Sequence, residues 1–198
     1  MKGQLCKIVL LLIVILSITS TIKGQSVGLS FVYKLSTDRD LKYTPCMGFY
    51  VMDDFSEKWD GFATFISGKS TFEDSKTDYS ITYKRTTIKV DLNYILNQRE
   101  KNCTKLGLSL GWCRDNFTQS GIVSNWTSTF TNFGLGIGLP LSFQSKGILN
   151  SPLQFNFSFT PTYLHILKSK GIENTNFMGN SKDALYVDVS VGLAFMLK

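Results

Sequence analysis

Apolar and polar positions alternate with a period of two along most of this chain. The pattern is cleanest at the C-terminal end, residues 184–198. There Leu185, Val187, Val189, Val191, Leu193, Phe195 and Leu197 share one parity, and Tyr186, Asp188, Ser190, Gly192, Ala194 and Met196 share the other. Successive side chains of an extended strand point to opposite faces, so this stretch predicts a strand with one bulky apolar face and one small or polar face. The same reading predicts seven earlier strands, over 25–36, 43–51, 59–72, 78–96, 104–113, 129–143 and 152–165. Polar segments at 37–42, 53–58, 68–76, 97–102, 114–128, 144–151 and 166–183 read as turns and loops. Strand 59–72 alternates least. Within 78–96, Ile88, Val90, Leu92, Tyr94 and Leu96 oppose Lys89, Asp91 and Asn93, but Tyr79, Ile81 and Tyr83 fall on the other parity. Either that first half projects beyond a bilayer, or a bulge near Arg85 shifts the register.

The character of the second face decides which way the strands turn. It carries Gly107, Gly111, Gly134, Gly136, Gly138 and Gly192, with Asn, Ser, Thr and several charges. Such residues build no dry core, whereas a soluble barrel must fill its centre with apolar bulk. The bulky faces are therefore expected to meet lipid, which predicts an all-β, eight-stranded antiparallel up-and-down transmembrane β-barrel. A sheet in lipid must close, because unpaired edge groups are costly there. Connections two, four and six are short and the odd ones generally longer, the asymmetry of short periplasmic turns and longer external loops. Trp59, Trp112, Tyr33, Tyr94 and Tyr163 fall near strand ends, where aromatic girdles are expected. Pro45, Pro140 and Pro161 cannot donate to a ladder and should sit at strand ends or bulges.

Residues 1–24 read as a signal peptide: Lys2 and Lys7 precede an apolar run over 8–18, and small and polar residues follow down to Gly24. The barrel then occupies 25–198. Losing Lys2, Lys7 and Lys23, with no acid, takes the formal charge from +6 to +3, too mild to imply nucleic acid. Cys6 leaves with the leader, so Cys46, Cys103 and Cys113 remain, an odd count. The last two lie on one expected strand, roughly 34 Å apart and far beyond disulfide reach. Free buried thiols are expected, and the spacing fits no zinc motif.

The chain resembles the outer membrane protein beta-barrel family of small Gram-negative barrels. The resemblance rests on the block at 86–112, on FGLGIGLPLSF at 133–143, and on the end strand. Gly192, Phe195 and Leu197 are similar to the signal by which the barrel-assembly machinery recognises a last strand. The resemblance implies outer-membrane location, with membrane lipid and that machinery as partners. It does not choose a function, since one fold hosts many.

The candidate chemistry is sparse, and no cofactor or metal is called for. Gly134, Gly136 and Gly138 open no helix, which excludes a dinucleotide loop. Lys34, Lys89, Asp91 and Asp188 point inward by parity. The first and last strands are neighbours in a closed barrel, so Lys34 and Asp188 are expected within ion-pair range. His165 is the only histidine, at the expected outer end of its strand, where the few known small-barrel lipid A enzymes keep catalytic residues. No Ser/His/acid motif accompanies it. Loops 114–128 and 166–183 are the expected contact surfaces, with Phe117, Trp126, Ile172 and Phe177 as exposed apolar residues. The leading expectation is a non-enzymatic structural or surface-interaction barrel. A lipid A-modifying enzyme using His165 and an accessory barrel of a secretion or conjugation system are the alternatives.

Overall fold

The computed structural model describes residues 25–36, 43–74, 79–121, 127–148, 151–171 and 183–197. The strands are β1 (Ser26–Ser36), β2 (Tyr43–Asp54), β3 (Trp59–Asp74), β4 (Tyr79–Arg99), β5 (Asn102–Gly121), β6 (Thr127–Gly138), β7 (Leu141–Lys146), β8 (Leu153–Gly171) and β9 (Asp183–Met196). Each pairs antiparallel with its neighbours, and the ring closes because β1 pairs with β9 and β4 with β5. β6 and β7 follow one another in a single place between β5 and β8, so the wall has eight staves.

That interruption is where the prolines act. Leu139 and Pro140 leave the ladder between β6 and β7, and Pro161 stands opposite them on β8. Leu139 N–H donates to the Pro161 carbonyl at 3.1 Å, so Pro161 turns its donor-less nitrogen toward the break, where no ladder bond is lost. The β2–β3 ladder likewise ends at Cys46–Gly68, one residue short of Pro45.

The polarity of the wall is inverted. Leu110 and Val90 are 57% and 58% exposed at mid-wall, while Asp188 is 4% and Lys105 1% exposed. Leu29, Phe31, Leu135, Ile137, Leu193 and Phe195 belong to the same outward apolar belt. A belt of this kind is stable in hydrocarbon and not in water. The protein is a transmembrane barrel.

Two expected loops are largely strand, and a third is entered by one. β3 extends to Asp74 and β5 to Gly121, so most of 68–76 and of 114–128 belongs to the wall, and β8 runs to Gly171, taking in 166–171 of the loop expected at 166–183. Hydrophobic alternation ends where a strand leaves lipid, because its outward face no longer meets hydrocarbon, yet the backbone ladder continues. No bulge occurs near Arg85: the β4–β5 register runs unbroken from Tyr79–Gly121 to Ile95–Lys105, and the only irregularity lies between Ile95 and Asn97. Ile81 and Tyr83 therefore stay on the inner parity and pack with Phe117 and Phe130 as an apolar cap inside the outer end. Cys46, Cys103 and Cys113 are free and buried.

At the opposite end Tyr50 lies across two glycines of neighbouring strands. A Cβ on Gly192 would come 3.0 Å from Tyr50 Cε1, and one on Gly28 would come 2.6 Å from Tyr50 Cζ and strike the Leu193 carbonyl. Gly28→Val is expected to cost about 1–3 kcal/mol through overpacking, read as a lower urea midpoint of the folded barrel.

Candidate functional site: a charge-filled interior and a polar outer rim

Four ion pairs fill the interior among the described residues. At the short-turn end Lys105 and Asp60 pair, both buried. Asn93 Nδ2 donates to the other Asp60 oxygen at 2.9 Å. Met52 lies over them, receiving Gln144 Nε2 at 3.2 Å and Gln154 Nε2 at 3.6 Å on its sulfur. Ser26 Oγ donates to Gln154 Oε1 at 3.3 Å, which ties the start of β1 into this floor.

Above the floor is a cavity of about 50 Å³. It is lined in part by Ser30, Asp91, Ser142 and Asp188. Among the described residues, Ser30 Oγ, Ser142 Oγ and Asp91 Oδ1 have no protein hydrogen-bond partner. A space of this size, with those polar atoms on its wall, has room for a few waters. Lys89 Nζ stands 3.1 Å from Asp91 at its edge.

Lys34 Nζ lies 2.8 Å from Asp188, its register partner across β1 and β9, and 3.4 Å from the centroid of the Tyr186 ring. Tyr186 also receives the Arg85 guanidinium, 5.0 Å from its centroid. Arg85 forks onto both oxygens of Asp115, its partner across β4 and β5, and Tyr83 OH donates to the same carboxylate at 3.1 Å. Phe117 closes the stack, with ring centroids 4.9 Å from Tyr83 and 4.5 Å from Phe130. Each interior cation has an anion, as burial demands.

The predicted lumen set of Lys34, Lys89, Asp91 and Asp188 is thus brought together as two pairs. Sequence reading missed the other two. Lys105 was legible, since it shares the inner parity with Gly107 and Ser109. Asp60 stood at the edge of the least regular strand. Arg85 lay where the pattern shifts, and Asp115 was assigned to a loop. Phe117 requires correction: it is a buried inner-face residue of β5, 3% exposed, not a loop contact. Its segment lacks apolar alternation because it projects past the belt. Trp126, Ile172 and Phe177 lie outside the described residues. His165 is exposed on the outer face of β8, in register with Leu135. Among the described residues no His, Cys, Asp or Glu cluster of three or more is placed to hold a metal. Phe195 and Leu197 face outward, and Gly192 faces inward beneath Tyr50. Trp59 and Tyr94 meet edge to face at 5.0 Å near the short-turn end, and Trp112 and Phe133 at 6.1 Å near the other.

No family model matches the sequence, and no curated protein does either. Solved structures do. Ail, the attachment invasion locus protein of Yersinia pestis, solved with the heparin analogue sucrose octasulfate, superposes with a TM-score of 0.58 at 14% identity, covering 89% of this chain and 100% of Ail. A major outer membrane protein of Thermus thermophilus gives 0.59 at 10% identity, covering 87% and 99%. The fold is that of a small outer-membrane barrel. Neisserial surface protein A agrees, with a TM-score of 0.57 at 11% identity over 88% of this chain and 96% of that one. At these identities it is the outer-membrane barrel fold that is shared. The interior of the barrel here is crossed near its two ends by Lys105–Asp60 and by the Arg85–Asp115–Tyr83 layer.

Proposed function

We propose that this protein is a non-enzymatic barrel of the Gram-negative outer membrane, acting as a structural or surface-interaction protein through the segments at its loop end. The observation that supports this best is the filled interior. Four compensated ion pairs and an aromatic cap occupy the space a pore or substrate pocket would need, and the remaining cavity measures about 50 Å³. What remains for function is the outer surface. The signal peptide over 1–24 and the C-terminal Gly192, Phe195 and Leu197 supply export and recognition by the barrel-assembly machinery.

The test is expression in a Gram-negative host, with the purified outer membrane examined for the folded barrel and for its lipid A species. His165→Ala is expected to leave the lipid A profile unchanged. Excision of residues 172–182 is expected to abolish adhesion of the cells to a ligand surface while the barrel still folds. A lipid A profile that depends on His165 would overturn the non-enzymatic reading. Adhesion unaffected by the excision would overturn the role of that loop.

A further inference from the structure

Where β3, β4 and β5 leave the apolar belt toward the loop end, the outer wall turns cationic within one step of the register. The last apolar row is Phe65, Ile88 and Trp112, each opposite the next. Two residues further out come Ser67, Thr86 and Arg114, and two beyond those Lys69, Lys84 and Asn116. Lys69, Lys84 and Arg114 are all exposed on the outer face. The next row outward, Thr71, Thr82 and Thr118, is made of threonines.

Lys69 and Lys84 are direct cross-strand partners. Like charges placed so are destabilising. Among the described residues none of the three cations is in an ion pair. Arg114 donates Nε to Asn116 Oδ1 at 3.2 Å and spreads over the Phe133 ring, 5.6 Å from its centroid, which leaves the guanidinium edge turned to the surroundings. The short-turn end differs: there Lys58 follows Glu57, and Glu100 separates Arg99 from Lys101. On β3, β4 and β5 at the loop end, the outward charges between the belt and the threonine row are all positive among the described residues, and Glu73 stands one row beyond, opposite Ser80.

We infer that Lys69, Lys84 and Arg114 form an outward-facing site for the phosphate of a lipid headgroup in the leaflet around the loop end. The occupant follows from position and charge. The site begins where the belt ends, at headgroup depth, so the anion that reaches it is carried on a lipid. A phosphate monoester brings more than one negative charge and several acceptor oxygens. It bridges two facing ammonium groups and accepts the planar fork of an arginine. The Thr71 and Thr82 hydroxyls, 3.3 Å apart, flank the site on its polar side. A phosphorylated glycolipid, with sugar hydroxyls reaching that threonine row, matches the surface best. The inference rests on the proposal above that this end faces the outer leaflet.

The experiment refolds the mature barrel into phosphatidylcholine vesicles, alone, with diphosphoryl lipid A, or with lipid A stripped of its phosphates. Thermal unfolding is followed by gel mobility. Diphosphoryl lipid A is expected to raise the midpoint by about 5–10 °C, the shift of a ligand present well above its Kd on a chain this size. The dephosphorylated lipid is expected to leave the midpoint where it is. Lys69→Gln/Lys84→Gln/Arg114→Gln should abolish the rise, Lys69→Arg should preserve it, and Lys58→Gln/Arg99→Gln at the other end should not alter it. The single Lys69→Gln decides the matter even if the triple variant does not fold. In phosphatidylcholine alone it should raise the midpoint, by relieving repulsion, and with diphosphoryl lipid A it should lower it. An equal rise with the dephosphorylated lipid, or a rise that survives in the triple variant, overturns the site while leaving the membrane barrel intact. Failure to insert into any vesicle overturns both.

Discussion

Leu110→Arg is expected to destabilise the folded barrel in a bilayer by about 2–4 kcal/mol, the cost of a guanidinium at the midplane of a lipid-facing wall. Leu110 lies outward on β5 between Leu108 and Trp112, in register with Val90 on one side and Ile137 on the other. All five are exposed apolar residues of the belt. Thr118→Arg, on the same face of the same strand but beyond the cationic rows, is expected to cost about 0–1 kcal/mol, since the penalty fades toward the interface. Urea unfolding in vesicles measures both. Equal effects at the two positions would mean that no hydrocarbon surrounds Leu110, and the inverted polarity would need another explanation.

The second large effect lies inside. Lys105→Met alone is expected to cost about 3–5 kcal/mol, because it strands the Asp60 carboxylate in a site from which water is excluded. Both partners are among the most deeply buried residues of the protein. Lys105→Met combined with Asp60→Leu should recover most of that loss, since replacing a buried pair by apolar residues of similar volume is often neutral or better. The part not recovered belongs to Asn93, whose amide donates to Asp60 at 2.9 Å and would lose its acceptor, a deficit of about 1–3 kcal/mol. A double-mutant cycle reads the coupling directly. Additive losses would show that the two side chains do not sense one another in the membrane.

The architecture was legible because a lipid-facing wall imposes strict chemistry on every second residue. In β9 the alternation from Leu185 to Leu197 needed no tertiary context, and it carried Asp188 to the inside, beside Lys34. What escaped was every stretch where lipid imposes nothing. Beyond the belt, RDNFTQSG of β5 and STFED of β3 have a polar outward face and a single phenylalanine on the inner one, so periodicity is silent although the ladder continues. Phe117 was misplaced for that reason, and Asp115 with it. The Tyr83 and Arg85 half of β4 looked out of phase because it fills the lumen with rings and a guanidinium, where the lower half of the same strand turns Lys89, Asp91 and Asn93 inward. A bulge was the wrong explanation. The parity never changed; the depth in the barrel did. The site residues shared this limit: pairs that face each other near the membrane's centre could be read, and pairs at either end of the stack could not.

The paired prolines have a consequence for how such a ring is put together. A closed cylinder of strands must be sealed last where chain start meets chain end, and that joint runs without interruption from Ser26–Met196 to Ser36–Tyr186. The interruptions lie elsewhere, at Leu139 and Pro140 against Pro161, between Phe133 and Gly134 opposite β8, and between Ile95 and Asn97 opposite β5, all between strands that are near neighbours in sequence and have already met. The closing seam is thereby left whole, and any breathing of the finished cylinder belongs at these interruptions, where amide protons would exchange soonest.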